Sequence, residues 1–574
     1  MQPFKSMLLA LALVGCASQD NRPTTLAPAP SSLYSEFSAN DAGETVYGPF
    51  VAATLAQHDE RFASAAKYYL DALAADPSSD FVADRAFFQL LYAGRVDEAA
   101  RISLQLQDAE VAKSDDLIRL MYVLEAFKRE DWQEVRQRLG GVKEAGFGFL
   151  ISPLLEAWSY AAESNVASAR DALAGLVADQ RLGVIGKEHL AYVLDHTGQI
   201  EEAGDAYLAL LADGQPSSLQ PLVAYAGMLQ KAGRTEDARN FLGEQTKKYP
   251  DSRYLLREGM RIMAGYGPSQ EVTAPRGAAG QIFYRLATEF AQGQSNRAAV
   301  IYLRVASYLT PEVSEIYFLL GNLLERLDTY EAAASAYASV PSTSELSAVA
   351  NLRRIEALRL AGHEDDAEER VRRVLKDMPN STAHLSLLAD MLRDKEEFGE
   401  AVHYYNRAIE QIRNPGKSDW FVFFARGISL EQLGRWADAE RDLRAALALN
   451  PGEPSVLNYL GYSWIDRGER IEEAKKMIEQ AVEEMPEDGF IVDSLGWVHY
   501  LTGDYDQAVL HLERAVRLQP TDPTINDHLG DAYWRVGRKI EARFQWRHAL
   551  ENDPEEEDRQ AISDKIAMGL PDAS

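Results

Sequence analysis

The chain has one cysteine in 574 residues, Cys16. No intrachain disulfide can staple it, and no cluster of thiolates can hold zinc or an iron–sulfur group. Basic residues are also scarce, with 59 Lys and Arg against 88 Asp and Glu, for a formal charge of −29. Such a surface argues against nucleic acid and against direct docking on anionic headgroups, because it would release no counterions from either. Long apolar runs are missing too. The apolar stretch from Met7 to Val14 is far short of the roughly twenty residues that a spanning helix needs.

Catalytic patterns are equally hard to find. None of the ten histidines lies four residues from another with a glutamate between, as a zinc-protease helix requires. There is no Gly-x-Ser-x-Gly elbow and no Gly-rich loop ending in Lys-Ser or Lys-Thr to hold a phosphate. His499, His511 and His528 share the C-terminal region but lack spaced partners for a metal. Gly265-Tyr266-Gly267 reads as hinge chemistry, and the neighbouring acids Asp365 and Asp366 point apart in a turn. The sequence therefore implies a non-enzyme with neither cofactor nor metal.

What is present is a fixed step. Gly427, Gly461, Gly496 and Gly530 stand 34, 35 and 34 residues apart, and Gly321 keeps their register through Ile355 and Ala389. Twelve residues after each glycine comes a small or near-small residue: Ala333, Ala439, Glu473 (with Ala474 beside it), Ala508 and Ala542. In the unit Trp420–Pro451, Phe423, Gly427 and Leu430 share one helical face, and Gly434 breaks the helix. Ala439, Leu443 and Ala446 then mark a second helix, which Pro451 ends. The small residues let the two helices approach, while Leu443 fills the gap between units.

The register continues backwards with more wear. Ala65, Tyr69, Ala72 and Pro77 match it, as do Gly94 with Ala99, Gly198 with Ala203 and Tyr207, and Gly233 with Ala238 and Leu242. A period of this size reads as the tetratricopeptide helix–turn–helix. The expected fold is all-α, a right-handed α-solenoid of stacked tetratricopeptide helix pairs in two arms, with about 14 repeats. Residues 46–263 form a degenerate N-terminal arm, 281–556 a well-formed C-terminal array, and 557–574 an acidic tail with a capping segment. Between the arms, residues 264–280 are too rich in Gly and Pro for a helix and read as a joint.

The N-terminus carries Lys5 and a brief apolar core, the pattern of a secretory signal over residues 1–15. Leu13-Val14-Gly15-Cys16 resembles the lipobox of bacterial lipoproteins, whose cysteine is lipidated. That resemblance implies lipid attachment at Cys16, with Ala17 and Ser18 favouring the outer membrane over the inner. Residues 16–45, with Pro23, Pro28 and Pro30, read as a flexible tether. The body then faces the periplasm and touches membrane through its lipid alone.

A known register also says which side chains face the concave groove: positions two, five, nine and twelve of each first helix. The expected partner-binding groove is Phe421, Phe424, Tyr462, Phe490, Asp493, Trp497, Tyr500, Asp527, Asp531 and Trp534. Its aromatics suit anchors, and its aspartates select a polar or basic companion. Equally, each ring can pack against the neighbouring unit as half-buried core. Asn458 is the sole groove residue in common with grooves that clamp chaperone tails, so that clamp is absent.

The runs Leu457-Asn458-Tyr459-Leu460-Gly461-Tyr462-Ser463-Trp464 and Asp493-Ser494-Leu495-Gly496-Trp497 resemble the tetratricopeptide lipoproteins of the LbcA type. Those proteins bind a carboxyl-terminal processing protease at the outer membrane and present it with cell-wall hydrolases. The resemblance implies a lipid-anchored adaptor for periplasmic proteins. The alternative is an assembly subunit of an outer-membrane machine for secretion, polysaccharide export or β-barrel insertion.

Overall fold

A computed structural model of the chain describes residues 47–109, 115–142, 148–180, 182–212, 218–268 and 273–571. The expected signal segment, the tether and Cys16 lie outside the described residues. Among those described there are thirty α-helices. Twenty-eight of these follow one another as fourteen successive pairs, from Tyr47–His58 with Phe62–Ala75 to Pro523–Arg535 with Lys539–Glu551. The helices Arg253–Met263 and Glu556–Met568 stand outside the pairing. The fold is the tetratricopeptide solenoid that the period implies.

Each pair is closed through a residue in the left-handed region, with Arg470 a second one in the turn of Gly468. In eight of the fourteen turns it is glycine, and in six it is Glu60, Glu130, Ser164, Gln294, Asp328 or Glu396. At Gly434, with φ of 71°, the Gly434 N–H donates to the Glu431 carbonyl (2.7 Å) and the Arg435 N–H to the Leu430 carbonyl (2.9 Å). These bonds satisfy carbonyls that the end of the helix leaves open. A Cβ at Gly434 would meet no other atom, so only the backbone conformation resists a side chain there. Gly434→Ala is therefore expected to cost about 1 kcal/mol, and Glu396→Gly in the equivalent turn to gain a few tenths to about 1 kcal/mol. Urea unfolding of the two variants checks the opposite signs.

The second ladder of glycines lies between the helices of a pair. A Cβ on Gly496 would sit 2.6 Å from the Leu512 side chain, and one on Gly530 would sit 2.4 Å from the Trp546 indole. Each glycine thus gives up its side chain to a large residue one turn beyond the small one. Ala439, Ala474, Ala508 and Ala542 are fully buried in the same seam. Glu473 is exposed, because the extra residue in that unit is taken up around Arg470, itself left-handed.

The described residues fall into two compact units that divide between His363 and Glu364. In the first, the helix Pro275–Gln292 packs against Gly148–Ala162, and Asn296–Leu309 packs against Asp80–Tyr92, Val96–Gln105 and Asp116–Lys128. This unit therefore closes on itself through contacts far apart in sequence. Arg304 lies half-buried over Gly94, where a Cβ would come within 2.6 Å of the guanidinium. Lys128 Nζ sits 3.8 Å from the centre of the Tyr308 ring, and Arg285 pairs with Glu188 at 3.2 Å.

Three expectations need correction. The stretch 264–280 is not irregular to its end, because a helix starts at Pro275, six residues before Gln281. Proline fits a first helical turn, where its missing N–H costs nothing, and Gly280 is a site of close approach to Thr310. The acidic run at residues 555–558 belongs to the expected capping helix, which starts well before Ile562. It opens the helix Glu556–Met568, where carboxylates complement the positive end of the helix dipole. For the same reason Asp365 and Asp366 lie in the first turn of Glu364–Asp377 rather than in a connecting turn.

Candidate protein-binding face

In the second unit the helices Pro454–Asp466, Gly489–Leu501 and Pro523–Arg535 pack on one another in succession. Side-chain caps fix the starts of the second and third. Asp488 accepts from the N–H groups of Phe490 and Ile491 (2.9 and 3.0 Å), and Asp522 accepts from Ile525 (2.9 Å). This stacking gathers groove residues from separate repeats into one cluster.

Its centre is His528. The His528 imidazole lies 3.9 Å, centre to centre, from the Trp497 ring, and Trp497 stacks at 4.6 Å on Tyr500. His528 Nδ1 is 3.0 Å from an Asp493 carboxylate oxygen. Burial by itself would lower the imidazole pKa. The charge and hydrogen bond of Asp493, with Asp527 and Asp531 beyond, instead hold it above 6.5. Arg535 donates from Nε to the Tyr500 hydroxyl at 3.3 Å. Tyr500 and Trp497 remain half-buried, while Asp493 is buried beneath them.

Asp527, Asp531 and Trp534 meet the C-terminal segment. Lys565 Nζ donates to Asp527 (2.7 Å) and to Asp531 (2.9 Å), and Trp546 Nε1 donates to the other Asp531 oxygen (2.9 Å). Burial, together with the charge of Asp527, pushes the Asp531 carboxyl up to about 6 against the pull of Lys565 and Trp546. Trp534 Nε1 donates to the Leu570 carbonyl (3.2 Å), and Arg535 to the Pro571 carbonyl (2.7 Å). The chain's own end therefore covers this part of the expected groove.

The other groove residues divide by repeat. Phe421 is 38 % exposed and packs edge-on against Trp420 at 5.6 Å, while Phe424 is buried against Tyr459 at 5.7 Å. Tyr462 is buried, and burial followed by the charge of Asp493 pushes its hydroxyl pKa up. Phe490 packs half-buried against the core. The residues that the groove pattern omitted are His528, Arg535, Lys565 and Trp420. His528 comes one place after the groove position that Asp527 occupies, so register alone passes over it.

Among the described residues no group of three His, Cys, Asp or Glu could hold a metal ion, and no helix is long and apolar enough to cross a membrane.

Comparison with known proteins agrees with the repeat geometry. A family model described as tetratricopeptide repeat matches residues 154–218, 284–344, 352–417 and 424–486, and a second, described as TPR repeat, matches 496–537. Together they span just over half of the chain. A relative in Pseudomonas aeruginosa, the TPR repeat-containing protein PA4667, is 29 % identical over 201 residues. The match covers 35 % of this chain and 33 % of that protein, about a third of the relative's length. The solved APC/C hetero-tetramer Cut9–Hcn1 contains a chain 15 % identical, with a TM-score of 0.41 over 91 % of this chain and 96 % of that one. A tetratricopeptide repeat protein from Parabacteroides merdae is 16 % identical, with a TM-score of 0.35 over 45 % of this chain and 99 % of that one. Repeat period, paired helices and family matches coincide: the chain belongs to the tetratricopeptide repeat proteins.

Proposed function

We propose that this chain is a non-enzymatic adaptor, hung by lipid at Cys16 from the periplasmic side of the outer membrane, that gathers periplasmic proteins on its C-terminal face. The observation that carries the reading is the half-exposed Tyr500–Trp497 stack over the buried Asp493–His528 pair, with the exposed Phe421 further along. Rigid aromatics held in place by a buried polar pair suit anchoring. The lipobox resemblance of Leu13–Cys16 supports the anchor, and the tether at residues 16–45 gives the body reach. The resemblance of the runs 457–464 and 493–497 to LbcA-type adaptors supports a carboxyl-terminal processing protease and cell-wall hydrolases as the proposed partners.

Formaldehyde crosslinking and pull-down of the full chain, read by mass spectrometry, tests this. A periplasmic protease or cell-wall enzyme is expected in the wild-type sample. Trp497→Ala and Phe421→Ala should each weaken its capture by about tenfold or more. Phe421→Ala should leave the melting temperature in place, because that ring is exposed. Recovery of a β-barrel protein instead would favour the outer-membrane assembly subunit, and recovery of no specific partner would count against both readings.

A further inference from the structure

The first unit holds a cavity of about 370 Å³ between the helices Gly148–Ala162, Gly183–His196 and Pro275–Gln292. Phe149, Leu150, Ile185, Ile282 and Leu286 give it mostly apolar walls. Six polar side chains interrupt them: Glu188, His189, Ser218, Gln281, Arg285 and Glu289. A cavity of this size with apolar walls and a few fixed polar groups has the make-up of a ligand site.

The polar groups specify what fits. Glu188 is committed on both oxygens, accepting from the Tyr192 hydroxyl at 2.9 Å and from Arg285 at 3.2 Å. The charge of Arg285 on this wall is thereby balanced. His189 is 4 % exposed, and its Nδ1 accepts from Trp158 Nε1 at 3.0 Å. Burial, aided by the charge of Arg285, keeps the ring neutral by pushing its pKa down to about 3. A neutral ring that accepts at Nδ1 carries its proton on Nε2. His189 therefore brings an uncharged donor to a wall where Glu188 and Glu289 outnumber the one cation, Arg285. A free carboxylate entering there would face Glu188 and Glu289 with Arg285 already engaged, whereas a neutral carbonyl would find a donor and carry no charge for those carboxylates to repel.

We infer that this cavity binds an uncharged apolar segment of a polypeptide, its side chains among Phe149, Ile185 and Leu286 and one backbone carbonyl on His189 Nε2–H. The assignment rests on reading the chain as a protein-binding scaffold, and it adds a second recognition site in the unit that does not carry the aromatic face.

The test is calorimetric titration of the full lipidated chain in nanodiscs with N-acetyl-leucyl-phenylalanine amide. Parallel titrations use the same dipeptide with a free carboxylate, and decanoate. The blocked peptide should bind saturably with a Kd on the order of 10–100 μM, given the affinity that ligands of this size reach. The carboxylate form should bind several-fold more weakly. Ile185→Trp, which fills the cavity from a half-buried position, should weaken binding about tenfold or more, and Leu286→Trp serves the same end if the first variant misfolds. Trp497→Ala should leave peptide binding unchanged. The assignment is overturned if the blocked peptide gives no saturable heat, if both cavity-filling variants bind like wild type, or if decanoate binds more tightly than the blocked peptide. Absent peptide binding with partner capture intact sinks the cavity alone. Lost capture in Trp497→Ala or Phe421→Ala with peptide binding intact concerns only the C-terminal face.

Discussion

Trp546→Ala is expected to destabilise the second unit by about 3–5 kcal/mol, the usual cost of emptying a fully buried tryptophan site. Trp546 has no exposed surface and fills the space that Gly530 leaves, where a Cβ would come within 2.4 Å of its ring. It packs at 5.4 Å against Trp534 and donates its indole N–H to Asp531. Alanine would leave a cavity and also remove one of the donors to a buried carboxylate. In a repeat array each pair touches mainly its neighbours, so the damage should stay local. Hydrogen exchange should speed up in Pro523–Arg535, Lys539–Glu551 and Glu556–Met568, while the helices before His363 keep their protection. Trp546→Phe should recover most of the packing but not the bond to Asp531, and so fall between. Equal unfolding midpoints for wild type and Trp546→Ala would mean that the glycine rung at 530 does not pack as described.

The same seam shows what the sequence made legible. The step from Gly496 to Leu512 or from Gly530 to Trp546 is a small residue facing a large one at a fixed distance, and composition records both partners. The turns are only partly legible. The backbone demands a left-handed residue in all fourteen, yet six supply it with Glu, Ser, Gln or Asp, which leave no glycine to read. Pro275 and Gly280 misled in the opposite sense, since proline at a helix start and glycine at a close contact are compatible with helix. In the candidate face the aromatic positions followed from register. The bond between Asp493 and His528 did not, because it joins residues 35 apart that only stacked helices bring together. Lys565 and Leu570 were hidden for a similar reason. They belong to a closing segment outside the repeat, so no period places them over Asp531 and Trp534.

Acid should weaken the first unit through His189, and the sign follows from where the proton binds. The folded imidazole titrates near 3 because burial, with the charge of Arg285, opposes protonation, whereas the unfolded one titrates near 6.5. Between these values the unfolded chain holds a proton that the folded one lacks. The contribution is complete above pH 6.5 and drains away as pH falls, by about 1.4 kcal/mol per unit, or about 2 kcal/mol at pH 5. His196, in the same unit, is lowered by burial and pulls the same way. His528, in the second unit, is raised, so its pairing with Asp493 is fully present below 6.5 and is lost as pH rises through its folded value. Acidification therefore weakens the first unit through His189 and His196, while in the second unit His528 works against His384, His499 and His511, which burial lowers. His189→Gln keeps an acceptor for Trp158 Nε1 but cannot titrate, and it leaves His196 and His528 in place. Urea unfolding at pH 7, 6 and 5 should show the stability gap between wild type and His189→Gln narrowing by about 2 kcal/mol, or reversing, toward pH 5. A gap that stays constant across that range would show that His189 is not held neutral in the folded protein. The donor that we assign to the cavity wall would fall with it.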